Sequence, residues 1–308
     1  MATTREIKNR IKSVKDMQKI TNAMYLIAST KLRKAKSELD HTRPYFAALQ
    51  EEIKRIFRTA GDIESKYFYP ATGEQELPGS YGYLVITADK GLAGAYNQNV
   101  IKEALRLMPE REDPKLFVIG EYGRHYFTSH NIPIEQSFLY TAKNPTISRA
   151  RDISNTLLDL FNQRKLSKIF VIYTDMHGAI HSEARSTRLL PFHRSNFLPP
   201  TKQEKAIKDP FEFRPSMESV LDNVVPSYVT GFIYSALIDS FCCEQNARMS
   251  AMDSANRNAQ KLLDELSLQY NHIRQGAITQ EITEVVAGAK SMKRKTMQSQ
   301  NEEGAAVL

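Results

Sequence analysis

Proline and glycine are spread unevenly along this 308-residue chain, and that constrains its fold more than any other feature. From Ala2 to Arg43 there is neither residue, and from Ser227 to Leu308 there is no proline and little glycine. Proline removes a helical hydrogen bond and clashes with the preceding turn, and glycine pays a large entropy, so their absence lets both ends read as long helices. The second would span roughly 80 to 100 Å if about 60 residues stay helical at about 1.5 Å each. A compact domain cannot bury such elements. The two ends are therefore expected to pair with each other and to leave further faces for a partner.

A heptad tests that pairing. With Ile7 at d, the residues Ile11, Val14, Gln18, Thr21, Tyr25, Ala28, Leu32, Ala35, Leu39, Thr42, Phe46, Leu49, Ile53 and Ile56 fall on alternating a and d positions, a coiled-coil seam with a few polar interruptions. A second stripe, Met17, Ile20, Met24 and Ile27, lies on another face of the same helix. It suits either a contact with the chain's own globular part or an apolar surface for another protein. Near the other end Met252, Ala255, Ala259, Leu262, Leu266, Gln269, Ile273 and Gly276 step by three and four, within a stretch rich in small side chains that lets helix axes approach closely. Beyond it, Ile278, Ile282, Val285 and Ala289 form a stripe for which the shorter N-terminal helix has no length left, so it should find its socket elsewhere.

Between the helices the period changes. Tyr83–Thr87, Leu116–Gly120 and Lys168–Asp175 are short runs of β-branched and aromatic residues, and helical patterns cover Asn99–Met108, Glu121–His130 and Ser148–Gln163. This alternation predicts an inserted three-layer α/β, Rossmann-like domain with a largely parallel sheet, to which Glu183–Leu190 could add an edge strand. The expected organisation is a helix over 1–58, a linker over 59–80, the α/β domain over 81–191, a second linker over 192–215, a helix over 216–292 and a tail over 293–308 with little order.

Composition narrows the function classes. No run approaches about 18 uninterrupted apolar residues, and the N-terminal residues lack the apolar core of a signal peptide, so neither membrane spanning nor export is expected. Cys242 and Cys243 are adjacent, which suits small buried residues better than a disulfide framework or zinc site. The net charge of +7 fits nucleic acid, an anionic surface or an acidic protein equally well. The loop Asp89–Asn97 has glycines at 91 and 94 after a strand and before a helix, where anions bind. Its spacing is neither GxGxxG nor GxxxxGK[ST], so a tight turn is the preferred reading. The histidines lack a metal-ligand spacing, since His177 and His181 flank a turn-forming pair, and no nucleophile, base and acid assemble into a catalytic set. No cofactor and no catalytic residue are expected.

Three ordered stretches then carry a resemblance. Lys19-Ile-Thr-Asn-Ala-Met24 with Ala28-Ser-Thr-Lys31, the central Thr87–Asn97, and the runs Glu244–Ala255 and Asn271–Gly288 resemble the signatures of the gamma subunit of bacterial-type F-type ATP synthases. The resemblance implies an antiparallel coiled coil of the two ends, turning inside a ring of alpha and beta subunits as the rotor of a proton-translocating ATP synthase. It implies an α/β domain that meets the epsilon subunit and the c-subunit ring, and a non-catalytic chain peripheral to the cytoplasmic side of the cell membrane. It further implies that Arg274 and Gln275 meet a loop of beta, that Met24 and Lys31 pass an acidic segment of beta, and that Arg248 meets rotor or head groups. On the same footing Ile278, Ile282 and Val285 would form a slippery apolar collar, and Phe211 and Phe213 would lie near the foot on the c ring.

The chain departs from the chloroplast relatives of that family, whose central domain carries a regulatory cysteine pair. No cysteine lies between Ser80 and Pro215, and Ala93 stands where many relatives have cysteine. Two other classes stay open: a basic coiled-coil protein binding nucleic acid through the comb Arg5, Lys8, Arg10, Lys12, Lys15 and Lys19, and a nucleotide-binding enzyme that uses the Asp89–Asn97 loop.

Overall fold

The computed structural model describes residues 4–60, 65–69, 78–108, 113–135, 137–177, 181–193, 197 and 213–305. The elements run α1 (Thr4–Ala60), β1 (Ser80–Ile86), α2 (Tyr96–Leu107), β2 (Lys115–Ile119), α3 (Glu121–Ser129), α4 (Ile147–Asn162), β3 (Leu166–His177), β4 (His181–Leu190) and α5 (Met217–Ala305). The chain divides into two compact units, one of Met1–Met24 with Met252–Leu308 and the other of Tyr25–Ala251.

In the larger unit the described strands lie in the order β2-β1-β3-β4. β1 pairs in parallel with both β2 and β3, and β4 is an antiparallel edge strand on β3. The pleat sorts the strand residues into two cores. Tyr83, Val85, Leu116, Val118 and Ile172 point to the face covered by α2 and α3, where they meet Val100, Ala104 and Phe127. Their neighbours Leu84, Ile86, Phe117, Ile119 and Val171 point to the opposite face, where they share a core with α4 (Ile153, Leu157), α1 (Ala35, Leu39, Ile53, Ile56) and α5 (Leu221, Val225, Val229, Ile233, Ile238). Helices cover both sides of the sheet, which gives the three layers expected. An apolar window within α5 is long enough to cross a membrane by composition, but 67% of it is buried inside the protein, as in a core helix.

The α1 seam follows the predicted heptad. Ile7, Ala28, Ala35, Leu39, Ile53 and Ile56 are buried, and Ile11, Val14, Gln18, Thr21, Tyr25, Leu32, Thr42, Phe46 and Leu49 are half-buried. In the smaller unit the partner is the stretch of α5 that follows residue 251, and the pairing is antiparallel. Gln18 Nε2 donates to Gln260 Oε1 at 3.3 Å, and the Thr21 hydroxyl donates to Asn256 Oδ1 one turn further along α1 and one turn back along α5. The α5 stripe differs by one column from the sequence reading: Leu263 and Tyr270 face inward in place of Leu262 and Gln269, and Gly276 is exposed. Two adjacent leucines sit about 100° apart on a helix, and both satisfy steps of three and four. Only the partner's surface selects one of them.

In the larger unit α1 carries Pro44 inside its helix. An interior proline costs about 3 kcal/mol, whereas each fully buried large apolar side chain contributes about 1.5–3 kcal/mol. Ile53 and Ile56, together with half-buried Phe46, lie just past the proline and outweigh that cost, so the helix continues. Phe46 packs 6.1 Å from the ring of Tyr234, and its ring lies over Gly231, where a Cβ would fall onto the ring itself. Glycine here serves close approach of two helices. Cys242 and Cys243 are buried in the same stretch, and burial pushes the Cys242 thiol up to about 12.

Replacing Gly231 by valine should therefore destabilise the chain by about 1–3 kcal/mol, as overpacking does, despite the better helix propensity of valine. Urea unfolding measures this, and Phe46→Ala in the same chain should restore part of the loss. A neutral Gly231→Val would show that close approach is not what the glycine provides.

Candidate functional site

The smaller unit presents an uncovered apolar surface. Past Ile273 every side chain of α5 described, through Met292, is exposed. That segment includes Ile278, Ile282 (59% exposed), Val285 (72% exposed) and Val286. The cause lies in helix lengths: α1 begins at Thr4, and its hydrogen-bonded pairs with α5 place that start near Ile273, so no α1 remains to cover the rest of α5. Arg274 and Gln275 stand at the first exposed turn. On α1 of the same unit Met17 and Ile20 are exposed and Met24 is half-buried.

In the larger unit Ile27 continues the exposed side of α1, and Lys31 is also exposed. The reading that the Met17–Ile27 stripe rests on the chain's own globular part is thus not supported for Ile27, which is 55% exposed within the larger unit. Phe213 is half-buried against the main core, packed with the chain's own apolar residues. Phe211 lies outside the described residues.

Arg248 has a different setting. Its Nη1 donates to Glu244 Oε1, and its Nη2 donates to the backbone carbonyls of Gly91 at 3.1 Å and Lys90 at 3.4 Å. The guanidinium is thereby occupied inside the chain, on the loop that follows β1. That loop is a tight turn with Leu92 and Gly94 in the left-handed region, at φ of 61° and 54°. Side chains of the central motif tie it down. Asn97 Oδ1 accepts from Ala88 N at 2.9 Å, and Asp89 Oδ1 accepts from Ala142 N at 3.0 Å and Glu121 N at 3.3 Å. The Thr87 hydroxyl donates to the Ile119 carbonyl at 2.9 Å and accepts from Gly123 N at 3.0 Å. Where a phosphate cradle would aim amide N–H groups at a ligand, the carbonyls of Lys90 and Gly91 aim at an arginine.

Burial sets the electrostatics of this knot. Desolvation pushes the Glu244 carboxyl above its ordinary range against the pull of Arg248 and Lys31, and Asp89 adds to the rise. Desolvation also raises the Tyr96 phenol, with Glu244 and Cys243 contributing. The sequence does not mark Glu244, Tyr96, Ser240 and Thr174 as a group. The i,i+4 spacing of Glu244 and Arg248 is the one available signal. Among the described residues no group of three His, Cys, Asp or Glu is placed to hold a metal ion. His177 and His181 are backbone register partners at the ends of β3 and β4.

A group whose folded pKa is raised keeps its proton after the unfolded chain has lost it, so the native state binds more protons and stability falls as pH rises. For Glu244 that decline runs from the ordinary glutamate value up to the raised one and then levels off. Glu244→Gln should remove this slope. The stability of the variant relative to the native chain is expected to increase with pH across that window, measured by urea unfolding at a series of pH values, and a constant difference would contradict the assignment.

The ATP synthase family profile matches residues 3–292. The ATP synthase gamma chain of Ruminiclostridium cellulolyticum is 39% identical over 94% of this chain and 98% of its own length. That of Caldanaerobacter subterraneus subsp. tengcongensis is 40% identical over 92% and 98%. Among solved structures, a chain in the cryo-EM structure of the Euglena gracilis mitochondrial ATP synthase, with OSCP, F1 and c-ring, superimposes with a TM-score of 0.66. It covers 94% of both chains at 14% identity, which speaks to the fold alone.

Proposed function

This chain belongs to the ATP synthase gamma family, and from that premise we propose that it is the non-catalytic rotor of the central stalk, coupling ion flow through a membrane c ring to ATP synthesis or hydrolysis on alpha and beta subunits. The observation that carries this reading is the length of α5 that outruns its α1 partner. It is a helix exposed on all sides through Met292, with an apolar stripe of Ile278, Ile282 and Val285. A monomer gains nothing from such a segment, because each exposed apolar residue forgoes the roughly 25 cal/mol per Å² that burial would return. A surrounding cavity of other subunits supplies the missing cover.

The mechanism needs a shaft that transmits position without joining the chemistry. A single helical pair offers a different face to each subunit around it, so every orientation favours a different set of open and closed nucleotide sites, and ligand affinity shifts by the difference in contact energy. The contacts must also break at each step. Apolar side chains on a smooth helix satisfy that requirement better than interlocked ion pairs, since the hydrophobic effect is non-directional. In this reading Ile278, Ile282 and Val285 are the collar, Arg274 and Gln275 meet the head at the first uncovered turn, and Met24 and Lys31 pass an acidic segment of beta, where the lysine attracts carboxylates. The epsilon subunit and the c ring meet the α/β domain, and the complex is peripheral to the cytoplasmic side of the cell membrane.

A tagged copy expressed in its native cells should recover alpha, beta and epsilon subunits, and its recovery as a lone chain would overturn the reading. A chain ending after Gln269 is expected to lower ATP-driven ion pumping while the larger unit keeps its unfolding midpoint, because none of the deleted residues belongs to that unit. Loss of the sheet's thermal transition in that variant would contradict this layout.

A further inference from the structure

Helix α5 changes in composition where its cover ends. From Met252 to His272 it has no glycine and no β-branched residue, and alanine, leucine and glutamine recur through it. From Gly276 to Met292 the balance reverses. Ile278, Thr279, Ile282, Thr283, Val285 and Val286 are β-branched, and Gly276 and Gly288 lie within the helix. A β-branched side chain loses χ1 freedom against the preceding turn and glycine loses the most backbone entropy, so each of them disfavours extension of a helix.

Helices elsewhere tolerate such residues because tertiary packing supplies most of their stability. The tip has no packing of that kind, since every described side chain past Ile273 through Met292 is exposed. Its glycines have no steric purpose within the chain either. A Cβ at Gly231 would fall on the ring of Phe46, whereas at Gly276 or Gly288 it would meet nothing within 4 Å. The hydroxyls of Thr279 and Thr283 donate to the carbonyls of Gln275 and Thr279 at 2.9 and 2.8 Å, which ties the helix only to itself and slightly weakens it. A hydrogen bond from Gln280 Nε2 to Glu284 Oε1 at 3.0 Å is a small opposing contribution. Unravelling from an end needs no new nucleus, so coil can spread inward to the last covered layer at Ile273.

We infer that the tip of α5, Gly276 to Met292, is a conditional helix: it unravels in the unassembled chain, and its helical form is held when apolar walls of other subunits close around Ile278, Ile282 and Val285. The glycines and β-branched residues are the softening elements that set this balance. That the tip lacks local support is a property of the chain; that other subunits supply it rests on the rotor reading. A segment that orders on contact can enter a narrow cavity as flexible chain, and its ordering cost is subtracted from the binding free energy. The stretch from Met252 to His272, by contrast, keeps its helix with α1 as its only support.

Hydrogen exchange on the purified full-length chain, and on the same chain within the assembled complex, tests this. In the isolated chain the amides of residues 277–292 should exchange within about tenfold of an unstructured peptide, while those of Leu263 to Tyr270 are protected about a hundredfold or more. In the complex the tip should gain protection of about a hundredfold. Replacing Gly276 and Gly288 together by alanine should slow exchange of the isolated tip about fivefold or more, as the better helix propensity dictates. A tip as protected as the covered stretch in the isolated chain would overturn the inference, and so would a tip that stays open in a complex that has formed. An alanine pair that leaves the isolated tip unchanged yet lowers recovery of the complex would mean that the glycines make room for a partner, and the softening role is wrong. Failure of the chain to join alpha and beta subunits at all would instead sink the rotor reading and leave the isolated-chain result standing.

Discussion

A helix with an apolar stripe must bury that stripe or lend it to another molecule, and the helices of this chain do both because their lengths differ. α1 has 57 residues and α5 has 89. Where the two run side by side, a heptad seam closes between them; where α5 continues alone, the stripe through Ile278, Ile282 and Val285 is left open. Most of the architecture stems from this inequality. The sheet, its two helical layers and the turn after β1 give the larger unit a conventional interior, while the smaller unit has only its seam.

How far the sequence reveals this depends on the kind of interaction. The α1 seam is legible residue by residue because a step of three and four on a straight helix leaves one solution. The same step on α5 leaves two, Leu262 or Leu263, and the partner surface chooses Leu263. Strands are legible from short apolar runs, and the edge strand β4 from its weaker alternation. Their pairing order belongs to the tertiary fold and not to any one run.

The site divides in the same way. The open stripe on α5 is visible as spacing plus a partner too short to cover it. The Glu244, Arg248 and Tyr96 cluster is not visible, because Arg248 meets a turn 157 residues earlier and no local pattern announces a distance of that size. The central motif resembles a phosphate loop in its glycines, yet its physical work is to hold a carbonyl-lined turn still. Glycine there reports backbone shape at φ of 54° and says nothing about a ligand.

The two adjacent cysteines have a practical side. Both sulfurs are sealed in the interior, and burial pushes both thiols well above the ordinary cysteine range, so neither offers an accessible thiolate to an electrophile at neutral pH. A cysteine introduced on an exposed turn of α5 would be the first nucleophile that a maleimide dye encounters. The native sequence can thus carry a site-specific fluorophore without first being stripped of its own sulfur.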